Sequence, residues 1–92
     1  MNFSHALEHI KRGTLMTRKG LAKMSYVVAM PGYPDMIPIN SATAKAIHRS
    51  EGTRLKFNPY LAIMNTDLSM NPWNPTNDDI LANDWIEHEQ PD

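Results

Sequence analysis

Turn-forming residues divide this chain into segments too short to carry helical crossovers between strands. Lys19-Gly20, the group Pro31, Pro34 and Pro38, then Asn58-Pro59 and Asn65-Thr66-Asp67 mark the divisions. Strands joined by such short connections pair antiparallel, because parallel neighbours need a crossover of about a dozen residues or more. The chain is therefore predicted to be α+β: an N-terminal helix packed on a small antiparallel sheet, with a short helix before the last strand.

The local signals fill in that outline. Asn2 can cap a helix whose apolar residues Phe3, Ala6, Leu7 and Ile10 recur at helical spacing, with Lys11 and Arg12 in its last turn and Gly13 to end it. Residues 15–18 read as a short extended piece and residues 24–30, rich in Tyr and Val, as a buried strand. The three prolines impose an extended loop. Residues 41–49 form a modest helix with Ser41 as its cap and Gly52 beyond its end. A strand is expected from Arg54, with an edge or a bulge where Asn58-Pro59 interrupts it, continuing through residues 60–64 into a hairpin toward residues 68–70. Residues 76–82 read as one or two helical turns and residues 85–88 as the final strand.

Ninety-two residues make one domain, residues 1–92, that buries only about 60–65% of its unfolded surface. With 41% hydrophobic residues the core is thin, and self-association is the common remedy. No cysteine is present, which excludes a disulfide framework, a thiolate nucleophile and a zinc–thiolate site. No apolar stretch has the length of a membrane span, and the N-terminus lacks the basic-then-apolar order of a signal peptide, so a soluble cytoplasmic protein with no membrane partner is expected. The net charge of −1 hides a split. All nine Lys and Arg fall between Lys11 and Lys56 against three acids, giving +6, while seven acids and no base follow from Pro59, giving −7. The halves are expected to pack together, within or between subunits, and no uncompensated basic face offers itself to a nucleic acid polymer.

His5-Ala6-Leu7-Glu8-His9 fits the inverted zinc-peptidase pattern, two ligands and a base on a helix. Those residues lie opposite Phe3, Leu7 and Ile10, where a solvated stripe belongs, and no spacing picks out a third ligand. No phosphate loop or nucleophile elbow occurs. A non-catalytic protein without cofactor or metal is expected.

The stretch Trp73 to Trp85 holds the only tryptophans. Thr76-Asn77-Asp78-Asp79 is a capping box, in which Thr76 caps a helix and Asp79 reaches back to the cap's amide. Trp73 and Asn74 precede it. An indole beside a helix start offers a flat face for a base and N–H groups for an anion, a pairing suited to a nucleotide-like ligand. Trp85, heading a strand, is expected in the core.

Phe3, Ala6-Leu7, Lys11 and Gly13 follow F-x-x-A-L-x-x-x-K-x-G, with Arg18 and Gly20 as a later R-x-G; Trp73 to Trp85 follows W-x-x-[ST]-x-x-D-x-L-A-x-D-W. Both patterns resemble a small phage and prophage family whose studied members are Thoeris anti-defence proteins of the second type. The resemblance covers roughly residues 2–30 and 54–88. It implies a sponge that sequesters a cyclic ADP-ribose signal without cleaving it, blocking Thoeris immunity in the cytoplasm of the infected bacterium. It also implies a homotetramer with pockets between subunits. The alternatives are a cyclic dinucleotide sponge against CBASS-type immunity and a protein–protein inhibitor that binds no nucleotide. Such a ligand needs cations, amide or carboxylate partners, and flat apolar faces. Arg18 is the candidate for phosphate, its other role being an ion pair with the acidic half. Trp73 is the candidate stacking face; Asn74, Asn77, Thr76 and Asp79 are the candidate polar partners. Where the family commonly carries Trp after the R-x-G, this chain has Leu21, and Met24 or Tyr26 is the candidate replacement, core packing being the other reading of both.

Overall fold

The computed structural model of the chain describes residues 1–89. Its elements in order are α1 (Phe3–Lys11), β1 (Met16–Thr17), β2 (Tyr26–Met30), β3 (Ile37–Pro38), α2 (Ser41–Ile47), β4 (Arg54–Leu55), β5 (Tyr60–Met64), β6 (Met70–Pro72), α3 (Asn77–Leu81) and β7 (Ile86–Glu87). Five strands form an antiparallel sheet in the order β6-β5-β2-β1-β7. The predicted α+β class, with an N-terminal helix and a short helix before the last strand, is the one observed.

Local chemistry accounts for the ends of α1. The Asn2 side chain accepts the His5 N–H at 2.9 Å, and Gly13 takes a φ of 93° just beyond the helix, a conformation that costs glycine least. One face of α1 then buries Ala6 and Ile10 against Met16, Val27 and Trp85, which together form the core. Phe3, Leu21, Leu61, Trp73 and Ala82 pack around it.

Two expectations are corrected. The cap of α2 is Asn40, not Ser41: the Asn40 Oδ1 accepts the Thr43 N–H at 2.8 Å. The helix ends at His48, in the left-handed region at φ 60°, well before Gly52. Residues 54–64 are not one interrupted strand. Asn58-Pro59 separates β4, which pairs with β3 in a two-stranded ribbon, from β5, which lies inside the main sheet between β2 and β6. The proline's missing N–H ends one sheet and the chain enters another. Residues 31–59 thus form an arm carrying β3, α2 and β4. No helix among the described residues is long and apolar enough to cross a membrane.

Candidate functional site

Asp79 organises the C-terminal segment. Thr76 and Asp79 complete the capping box: the Asp79 N–H donates to Thr76 Oγ1 at 3.2 Å and the Thr76 N–H donates to Asp79 Oδ2 at 2.8 Å. The other carboxylate oxygen of Asp79 accepts from Arg18 Nη1 at 2.8 Å. Its backbone carbonyl accepts the indole N–H of Trp85 at 2.9 Å, so the largest side chain in the core has its one polar atom satisfied. A single residue therefore ties the helix start, the arginine that follows β1 and the core together.

Arg18 follows β1 and lies across Gly20, where a Cβ would meet its guanidinium. Its Nε donates to Asp84 at 3.1 Å, so two acids from the C-terminal half share one arginine. Its side chain is 14% exposed and that of Asp79 is 7% exposed. Partial burial works against the charge of Arg18, but hydrogen bonds and attraction from Asp84 and Asp79 outweigh it and raise its pKa further. Desolvation likewise opposes the charge of Asp84, and the hydrogen bond and charge of Arg18 prevail, lowering its pKa. The charge split read from the sequence is realised here within one subunit.

Beside this pair runs a groove of about 630 Å³ between the β1–β2 connection and the segment from Trp73 to Ala82. Arg18, Trp73, Asn74, Thr76 and Asp79, five of the eight sequence candidates, line it. Asn74 and Thr76 are exposed, and Trp73 is half-buried. The Trp73 ring packs edge-on against Trp85 with centroids 6.0 Å apart, so one part of it serves the core and another faces the groove. The remaining candidates lie elsewhere. Asn77 opens α3 on its exposed side, outside the groove lining. Met24 and Tyr26 line a different hollow of about 270 Å³, with Met64, Leu68 and His88. Tyr26 stacks on His88 at 4.4 Å and Met24 stands exposed, so neither belongs to the core. Leu21 itself forms part of the groove wall.

In the sequence Gly20 reads as a turn and as part of the R-x-G pattern, and Asp84 as one position of the tail pattern, with no sign that both serve Arg18. The charge split signalled that some cation would meet the acidic half, but Arg18 and Asp79 stand 61 residues apart and no spacing rule links them. In the groove one cation stands beside Asp78 and Asp79, with Asp84 behind it. The carboxylates suit hydroxyl and amino donors, such as a ribose diol or a base edge, and the arginine suits an anion. His5 and Glu8 on α1 are exposed, and no group of three or more His, Asp and Glu among the described residues is placed to hold a metal.

The described residues thus make a small, cysteine-free α+β fold with a groove beside a capped helix start. The model of the Thoeris anti-defense 2-like domain family matches residues 1–88, and the chain belongs to that family. No curated protein matches it. Membership gives the chain a role in anti-defence against Thoeris.

Proposed function

We propose that the whole chain acts as one domain that binds and sequesters a cyclic ADP-ribose-type signal without cleaving it, in the cytoplasm of the infected bacterium and as a homotetramer. The observation that carries this reading is the groove beside α3, which brings a half-buried indole together with exposed amide and hydroxyl groups in a chain of an anti-defence family. Trp73 supplies the flat face for the purine. Asn74, Thr76 and Asp78 take ribose hydroxyls and base edges as acceptors. Arg18, with Nη1 and Nε engaged by carboxylates, keeps Nη2 for a phosphate oxygen. Lys19 and Lys23, exposed on either side of the groove-lining turn, add the remaining positive charge. Asp79 acts as the support that holds Arg18 and the helix start in place.

Calorimetry of the full chain against cyclic ADP-ribose isomers and cyclic dinucleotides tests the reading. A sponge that outcompetes a receptor should bind one cyclic ADP-ribose isomer at nanomolar Kd, about −12 kcal/mol, and return it intact on heating. Heat with cyclic dinucleotides alone would move the target to CBASS-type immunity. No heat with any of them would leave a protein–protein inhibitor.

A further inference from the structure

Arg18 does not stand in the groove as a free cation. Its Nη1 and Nε are held by Asp79 and Asp84, and Asp78 lines the same groove. One cation against three carboxylates leaves this end of the groove with a balance of −2. The start of α3 does little to offset it. The Thr76 and Asp79 N–H groups are engaged within the capping box, and the first turn carries Asp78 and Asp79, whose charge opposes the dipoles of the N–H groups that remain. Lys19 and Lys23 are exposed and stand outside the groove-lining residues, where solvent and salt screen them most. The three carboxylates differ in one respect. Asp79 is bonded to Thr76 and Arg18, and Asp84 to Arg18, whereas no hydrogen bond or ion pair among the described residues engages the exposed Asp78 side chain.

A phosphate oxygen on Nη2 of Arg18 and the carboxylate of Asp79 on Nη1 occupy neighbouring nitrogens of one guanidinium, and Asp78 shares their groove. The repulsion a phosphate meets there grows with its charge. A phosphate bridged on both sides carries one negative charge. A terminal phosphate carries about 1.5–2 at pH 7, because its second pKa is about 6. We infer that the groove admits nucleotides whose phosphates are all internal and turns away those that end in a phosphate, with Asp78 as the residue that discriminates. Specificity is a difference of affinities, and repelling the wrong ligand serves it as well as holding the right one. Asp79 and Asp84 hold Arg18 and cannot be changed without releasing it. The charge of Asp78 is spent on nothing inside the fold and acts on whatever enters. The same carboxylate accepts from a sugar hydroxyl, so it favours a phosphate capped by a sugar and penalises a bare one. The inference rests on the nucleotide reading of the groove and names the class of nucleotide it takes.

ADP and ADP-ribose test it, since they share adenosine and two phosphates and differ in whether a second ribose caps the end. Calorimetry of the full chain in magnesium-free buffer should show ADP-ribose bound more tightly than ADP. Asp78→Asn keeps an acceptor and removes the charge. It should tighten ADP about two- to fivefold, the range for an exposed charge pair, and ADP-ribose by less, because ADP-ribose carries less charge and loses one hydroxyl acceptor. Asp78→Lys should tighten ADP further, and both gains should shrink at about 0.5 M salt. No gain for ADP in either variant, or equal gains for the two nucleotides, would overturn the inference. A role for Asp78 confined to steadying the helix start would lower the melting temperature and leave the ratio of the two affinities unmoved, which also overturns it. Cyclic nucleotides measured beside them separate the two levels: their binding with an unmoved ratio strikes only the role of Asp78, and their failure to bind strikes the nucleotide reading itself.

Discussion

The body of the molecule and its arm are built from the same kinds of residue and held by different forces. In the body, α1 and the five-stranded sheet close over Ala6, Ile10, Met16, Val27 and Trp85, all without measurable exposure. In the arm only Ile39 and Ala44 are buried, while Tyr33, Met36, Ile47 and Phe57 are each more than a third exposed. What orders the arm is local hydrogen bonding: the Asn40 cap, the Ile39 amide to the Thr53 carbonyl at 2.9 Å, and Arg54 to the Met36 carbonyl at 2.9 Å. Each such bond contributes about 1 kcal/mol net, whereas a buried side chain contributes about 1.5–3. The body is thus held by burial and the arm by fastening, and the two should fail differently.

The largest effect is expected in the body. Trp85→Ala removes the biggest core side chain and should cost about 3–5 kcal/mol in urea unfolding; a cost below about 1 kcal/mol would mean that the core is not centred on this ring. Asp79→Ala should cost about 1–2 kcal/mol through loss of the cap, and Asp79→Asn, which keeps an acceptor for the Thr76 amide, should recover part of it. Equal losses in the two variants would assign the cost to the Arg18 pair instead. Trp73→Ala sits at the boundary between core and groove. It should weaken cyclic nucleotide binding by about 1–3 kcal/mol, the worth of one base–aromatic stack, and leave the assembly intact. Normal binding with a lower melting temperature would make Trp73 purely structural.

Smaller effects probe the arm and the pH dependence. Ile39→Ala should speed amide exchange at Ile39 and Gly52 while changing global stability by less than about 0.5 kcal/mol, because the arm opens on its own. A loss of about 2 kcal/mol or more, the cost of such a deletion in a core, would join the arm to the body's cooperative unit. Asp84 and Asp67 titrate below their ordinary value of 3.8 in the folded state. For Asp84, desolvation is outweighed by Arg18; for Asp67, the Ser69 hydroxyl and amide hold the charge. Lowered folded values mean stability that is present above pH 3.8 and lost as pH falls below it. The paired change Asp67→Asn with Asp84→Asn should flatten melting temperature against pH in that acid range, and an unchanged slope would show that neither carboxylate carries it.

How much of this was legible in the sequence follows the same division. The bounds of α1, the capping box and the place of Trp85 rest on contacts within a few residues or on strong apolar spacing, and they were readable. The arm was not. β3 and β4 are two residues long, pair across 15 intervening residues, and carry no periodicity to distinguish them from loop. Arg54 and Tyr60 looked continuous because the run is extended throughout; only the partners of each strand reveal two sheets. In the groove, Trp73 and the capping residues were visible as a local cluster. The junction of Arg18 with Asp79 and Asp84 depends on the folding of distant segments. The hollow shared by Met24 and Tyr26 is not legible either: Met24 stands in the turn before β2 at φ 65°, and for Tyr26 apolarity alone does not tell which side of a sheet a residue will take.

Gly20 gives the Arg18 arrangement a further meaning. It carries no charge and no donor beyond its backbone, yet the guanidinium rests where its side chain would otherwise be. One added methyl would move a positive charge without adding or removing a single ionisable group. A survey of variants ranked by polarity would score Gly20→Ala as silent. In this fold the missing carbon is a spatial instruction, and the groove's electric field is written partly in an atom that is not there.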